Sequence, residues 1–191
     1  MFELRVSTSP EWLEVVMADF DAFVVDHTLC ERKASAMGMS LVAKYSDRSL
    51  LVMPLIEFAQ EELEHFRIMY EVLAARGLRL NSDSKDEYVN GLRQLACKSG
   101  GDALLLDRLI IPGIVEARGC ERLRMVTGAI TEPKLKTLYE EITRAEARHH
   151  GLFFRLARHY FELDQIRERA DYFFDEEAKL VESLPHRAAV H

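Results

Sequence analysis

The sequence predicts an all-α protein: a bundle of four long helices with one long crossover and extra flanking helices. Three observations lead there. Only 9 Gly and 5 Pro occur among 191 residues, so little interrupts helix. Four stretches of more than twenty residues carry apolar side chains at three- and four-residue spacing, the period of one helix face. Those stretches fall into two similar pairs, each with a lone Glu on its first member and a Glu-x-x-His on its second, 31 residues apart in one pair and 30 in the other.

The length suits one domain with a sizeable core. Residues 1–191 are expected to divide into an N-terminal lid helix (1–20), a four-helix core (21–161) with its crossover at 77–101, and a C-terminal flanking helix and tail (162–191). Ser9-Pro10 is a helix start, with Ser9 as N-cap and Pro10 at the first position. The first long helix spans about Asp21 to Tyr45, with Phe20, Val24, His27, Glu31, Ala34, Gly38 and Leu41 on its seam. The second spans about Asp47 to Arg76, stops at Gly77 and lines up Leu51, Leu55, Phe58, Glu62, His65, Met69 and Leu73, with a kink expected at Pro54.

A loop at Asn81-Ser82-Asp83-Ser84 and a short helix at about Asp86 to Lys98 make the crossover. One long connection between two helix pairs is the connectivity of a ferritin-like bundle. The third long helix, about Asp102 to Gly128, carries Leu105, Leu109, Gly113, Glu116, Cys120, Leu123 and Thr127, with Pro112 as a second kink site. The fourth, about Pro133 to Phe161, is expected to be capped by Thr131 and lines up Leu135, Tyr139, Ile142, Glu146, His149, Phe153 and Leu156. A last helix, about Gln165 to Leu184, precedes a tail expected to fray after Pro185.

Carboxylates inside apolar seams need a counter-charge, because burying each one bare costs several kcal/mol. Glu62 with His65, and Glu146 with His149, each place a carboxylate and an imidazole one turn apart on one helix face. A single Glu-x-x-His is a common accident on a helix surface. Six residues on four seams (Glu31, Glu62, His65, Glu116, Glu146 and His149) form the ligand set of a carboxylate-bridged di-iron centre. Such donors suit iron, with manganese the alternative ion, and argue against zinc because no thiolate set occurs. Glu121 is the rival to Glu116, but it shares a mixed stripe with Arg118 and Met125, which favours Glu116. His150 rivals His149, yet the i+3 spacing of the first half favours His149. His27 reads as a core histidine or a partner of Glu31, and Tyr139 as packing or an oxidisable phenol.

Cys30, Cys97 and Cys120 form no C-x-x-C pair and are expected to be reduced thiols. No apolar run is long enough to span a bilayer and the first residues lack a signal-peptide pattern, so a cytoplasmic protein without membrane contact is expected. The net charge of −7 disfavours a nucleic-acid partner, but two divalent cations would offset more than half of it. No dinucleotide fingerprint occurs, so electrons for dioxygen chemistry would come from an external electron-transfer protein.

At Cys30-Glu31-Arg32-Lys33-Ala34, Glu61-Glu62-Leu63-Glu64-His65-Phe66, Glu116-Ala117-Arg118-Gly119-Cys120-Glu121-Arg122 and Glu146-Ala147-Arg148-His149-His150, the sequence resembles the bacterial tRNA 2-methylthio-N6-isopentenyladenosine hydroxylases over nearly the whole chain. The resemblance implies a ferritin-like di-iron monooxygenase, using two iron ions and O2 to hydroxylate the isopentenyl group of a tRNA base beside the anticodon. It implies the six ligands above as the catalytic, metal-holding residues, with Glu62 and Glu146 as the bridging pair. A tRNA partner calls for cations near the ligand segments: Arg32, Lys33, Arg118, Arg122, Arg124 and Arg148 are the candidates. The alternative function on this scaffold is an iron-storage or peroxide-scavenging protein of the ferritin and rubrerythrin type. None of these residues sets the oligomeric state.

Overall fold

Sparse glycine and proline let the chain run as helix through most of its length, and the computed structural model, which describes residues 2–80 and 85–191, shows it. The loop expected at Asn81-Ser82-Asp83-Ser84 lies outside the described residues. The helices are α1 (Pro10–Ala18), α2 (Phe20–Lys44), α3 (Ser49–Ala75), α4 (Glu87–Gln94), α5 (Gly101–Ala129), α6 (Pro133–Ala157) and α7 (Leu163–Ser183), with no strand among the described residues. They form two compact units. One holds α2, α3, the end of α1 and residues 188–190; the other holds the segment up to Leu13, α4 to α7 and His191.

In the first unit α2 and α3 pack as an antiparallel pair joined by a turn in which the Tyr45 N–H donates to Leu41 O and the Arg48 N–H to Tyr45 O, both at 2.9 Å. Asp19 caps α2 by accepting the Ala22 N–H at 3.2 Å. All seven seam residues expected on α3 are buried. The helices approach tightly at Gly38, where a Cβ would lie 2.9 Å from the Phe58 ring. Arg76 ties the far end of α3 to Asp21 at 2.7 Å. At that end Gly77 adopts φ 73° and the Leu78 N–H reaches back to Leu73 O at 3.1 Å, which satisfies the last carbonyls. Helix continues through Pro54. The tail does not fray: Ala189 and Val190 are buried, and the Val190 N–H donates to Asp26 Oδ2 at 2.8 Å.

In the second unit α5 and α6 form the other antiparallel pair, packed tightly at Gly113, where a Cβ would meet the Phe154 ring at 2.8 Å. Thr131 does not cap α6. Glu132 occupies that position without a side-chain bond, because Pro133 at the first helical position presets φ and has no N–H to satisfy. The helix stops at Ala157, four residues short of the expected end, where the His159 and Tyr160 N–H groups switch to three-residue turns. α7 starts two residues early because Glu162 and Gln165 form a reciprocal capping box. α4 is shorter than expected and is capped by Asp86, which accepts the Val89 N–H at 2.9 Å.

The interior of this unit holds a charge network. The Arg118 guanidinium, fully buried, donates to Glu177 at 2.8 and 3.1 Å, to Val6 O at 2.9 Å and to Thr8 Oγ1 at 3.0 Å, and it also pairs with Glu121. Tyr88 donates its hydroxyl proton to Glu177 at 2.9 Å. The bond to Val6 thus fastens the segment before α1 onto α5. Glu177→Ala leaves Arg118 buried without its main counter-charge and is expected to cost about 3–5 kcal/mol in urea unfolding. The double variant Arg118→Met with Glu177→Leu should recover most of that loss, and a double variant as unstable as the single one would contradict this account.

Candidate metal centre

Each helix pair brings one lone Glu to a Glu-x-x-His. In the first unit α2 supplies Glu31 and α3 supplies Glu62 and His65, all buried, with ligand atoms that lie within 4.8 Å of one another. His65 Nδ1 is 3.4 Å from Glu31 Oε2 and 3.7 Å from Glu62 Oε2. His27, one turn before Glu31, presents Nε2 at 2.6 Å from Glu31 Oε1. It is therefore a partner of Glu31, one of the two readings its spacing permitted, and lies against the carboxylate oxygen that His65 does not face.

Burial pushes the Glu31 carboxyl up, but hydrogen bonds from His27 and His65 outweigh it and hold the group well below the usual carboxylate range. Burial acts on His65 in the opposite sense, and its bonds to Glu31 and Glu62 prevail and push it up to about 10. Without metal, this imidazole is protonated at neutral pH and supplies the charge that the two carboxylates require.

The second unit repeats the arrangement. Glu116 of α5 and Glu146 and His149 of α6 are buried, with ligand atoms within 4.8 Å of one another. His149 Nδ1 is 3.8 Å from Glu146 Oε2, the same nitrogen-to-carboxylate relation as His65 to Glu62. The rivals have other engagements. Glu121 accepts from the Thr8 N–H at 3.0 Å and from the Thr8 hydroxyl at 2.7 Å, and pairs with Arg118. His150 Nδ1 is 2.8 Å from Gly113 O. Tyr139 is fully buried on the α6 seam. One difference separates the halves: four residues before Glu116 stands Pro112, where α2 has His27.

The donor chemistry fits a metal. Carboxylates with imidazoles, no thiolate, and burial that makes bare negative charge costly are what hard to intermediate divalent ions such as iron or manganese require. These buried Glu and His clusters can bind metal.

The cations proposed for RNA contact divide sharply. Arg118 and Arg122 are buried, the first in the Glu177 network and the second over the Trp12 ring at 4.9 Å, so neither offers a surface charge to a polyanion. Arg32, Arg124 and Arg148 are exposed and Lys33 is half-buried. Among the described residues no helix is long and apolar enough to cross a membrane. The three cysteines are free thiols.

His65 links the metal-free state to pH. Its folded-state pKa lies above the ordinary 6.5, so its contribution to stability is complete below that pH and disappears as pH rises through about 10. In chelator-treated protein the stability difference between wild type and His65→Gln should therefore shrink from pH 6.5 to 10 in urea unfolding. Over the same range Fe(II) or Mn(II) uptake should strengthen and release protons, measurable by anaerobic calorimetry in two buffers of different ionisation enthalpy.

Comparison with known proteins places the chain. Residues 2–191 match the family described as tRNA-(MS2IO6A)-hydroxylase (MiaE). The chain is 30% identical over 188 residues to the tRNA 2-(methylsulfanyl)-N(6)-isopentenyladenosine(37) hydroxylase of Pseudomonas putida, covering 98% of this chain and 91% of that protein. It is 32% identical over 141 residues to the protein of the same name from Salmonella typhimurium, covering 74% of this chain and 51% of that one. The chain thus matches about half the length of the Salmonella protein. Among solved structures it resembles protein 43 with aldehyde deformylating oxygenase activity from Synechococcus, with a TM-score of 0.91, 31% identity, and coverage of 97% of this chain and 92% of that one. The fold is the all-α, ferritin-like one expected from the sequence.

Proposed function

The chain belongs to the tRNA-(MS2IO6A)-hydroxylase (MiaE) family, and from that membership we propose that it hydroxylates the isopentenyl group of 2-methylthio-N6-isopentenyladenosine beside the anticodon of tRNA, as a non-haem di-iron monooxygenase. The observation that carries this reading is the duplicated buried set, one Glu and one Glu-x-x-His from each helix pair, in a chain whose relatives are named as hydroxylases. Glu31, Glu62, His65, Glu116, Glu146 and His149 would together hold two iron ions, with Glu62 and Glu146 as the bridging carboxylates. A reduced iron pair supplies dioxygen activation and insertion of one oxygen atom into an unactivated C–H bond, the second oxygen leaving as water with two electrons and two protons from outside.

The protein's own work is positioning and exclusion. The imidazole of His27 orients Glu31, and that of His65 lies between the two carboxylates of its half-site. Phe58, Leu109 and Phe153 are buried on the same seams as these carboxylates, whose own burial keeps water from them, so metal ions rather than solvent would neutralise them once bound. An electron-transfer protein delivers the reducing equivalents, and tRNA, as substrate, places the reaction in the cytoplasm. Arg32, Arg124 and Arg148 are the cations we assign to RNA phosphates, with Lys33 beside them.

Incubating the iron-loaded protein with reductant, O2 and tRNA carrying the isopentenyl modification should add one oxygen atom to the modified nucleoside, read by mass spectrometry of the digest. Glu62→Gln and His149→Ala should reduce this by at least about 100-fold while leaving a helical circular-dichroism spectrum. No oxygen gain, together with rapid peroxide consumption in the absence of RNA, would move the chain to the scavenging class.

Arg32→Glu with Arg124→Glu is expected to weaken tRNA binding and to flatten its salt dependence by about two in the log–log slope, with iron content unchanged. An unaltered slope would remove both residues from the RNA-contacting surface.

A further inference from the structure

The outer face of α6 carries a run of cations that the metal centre does not use. From Ile142 to Phe161 the one carboxylate is Glu146, which is buried, while Arg144, Arg148, Arg155, Arg158 and His159 are exposed. At 3.6 residues per turn, Arg144, Arg148, Arg155 and Arg158 share one side of the helix along about 21 Å of its axis. The buried Glu146, His149 and Phe153 lie on the opposite side. With a formal net charge of −7, the chain does not owe this face to a basic composition.

The face is unfavourable in isolation. Like charges one turn apart, as at Arg144 with Arg148 and Arg155 with Arg158, repel and weaken a helix. Other exposed arginines of the chain have an acid beside them: Arg67 pairs with Glu64, Arg76 with Asp21 and Arg167 with Asp164. Among the described residues no carboxylate pairs with Arg144, Arg155 or Arg158. The bonds that this stripe does make run along α6 itself, where Arg144 Nε donates to Glu140 O at 3.2 Å and Arg148 Nη1 to Arg144 O at 3.3 Å. Arg155 lies back over Gly151, where a Cβ would stand 2.7 Å from its Nη1. The missing side chain at Gly151 thus lets the Arg155 guanidinium extend the stripe toward Arg148.

We propose that this face is a docking track for an RNA phosphate backbone, in which Arg144, Arg155 and Arg158 act with Arg148. Guanidinium groups match phosphate oxygens in pairs, and a stripe of about 21 Å exceeds the reach of any single phosphate and suits a chain of them. Because the track faces away from Glu146 and His149, it holds the RNA outside the reacting nucleotide and fixes its position without reading its bases. The inference rests on the reading of the chain as an enzyme acting on tRNA, and it adds where the body of that RNA lies.

Fluorescence anisotropy of a labelled, unmodified RNA stem-loop, titrated with the whole chain at several salt concentrations, tests the track. The triple variant Arg144→Gln, Arg155→Gln and Arg158→Gln should bind at least about tenfold more weakly at low salt and lose about two from the log–log salt slope. Gly151→Glu, which sets an acid in the middle of the stripe, should weaken binding about threefold or more. A control with the same charge change at paired positions, Arg67→Gln, Arg76→Gln and Arg167→Gln, should keep the wild-type slope. An unchanged slope in the first triple variant overturns the proposal, as does an equal loss in the control, which would assign the effect to net charge alone. The readout needs neither iron nor product, so a chain that binds the stem-loop through this face and fails to hydroxylate keeps the track and loses the hydroxylase reading. A wild-type chain that binds no RNA overturns both.

Discussion

A carboxylate inside an apolar helix seam must find a positive charge or remain protonated, and both helix pairs of this chain are arranged around that requirement. Glu31 and Glu62 sit in seams otherwise made of Val24, Leu41, Leu55 and Met69. Glu116 and Glu146 sit in seams otherwise made of Leu109, Leu123, Ile142 and Phe153. The long helices, the tight approaches at Gly38 and Gly113, and the three-residue placement of the imidazoles all serve to hold these acids in register where water cannot reach them.

The second unit shows the same problem solved without metal. Glu177 is as deeply buried as any ligand, and Arg118 neutralises it with two hydrogen bonds while Tyr88 adds a third. The contrast explains why the two kinds of acid behave differently. A permanent guanidinium gives Glu177 a fixed partner and makes it architecture, whereas Glu62 and Glu146 have only an imidazole beside them. The two metal half-sites are themselves unequal, since His27 steers Glu31 and the matching position before Glu116 is Pro112, whose ring can donate nothing.

Periodic features were legible in the sequence and long-range ones were not. All seven expected seam residues of α3, and all seven of α6, are buried, because a 3.6-residue repeat is a local signal. Helix ends defined by Pro133 and Gly77 fell close to expectation, while the end of α6 at Ala157 depended on a turn with no glycine or proline to announce it. Arg118 and Arg122 looked like surface cations because nothing within four residues hides them. The partner that draws Arg118 inward, Glu177, is 59 residues away, and the ring beneath Arg122, Trp12, lies on another helix. The buried tail escaped notice for the same reason, since Asp26 receives the Val190 N–H across 164 residues.

The contact between His150 and Gly113 has a consequence of another kind. A carbonyl oxygen only accepts, so the Nδ1 of His150 must carry the hydrogen in this contact. The imidazole is thereby locked in one tautomer by the backbone of a neighbouring helix, next to the His149 ligand position. The ring's tautomer and the α5–α6 register are thus tied together, since a shift of either helix breaks the bond that fixes the proton on Nδ1.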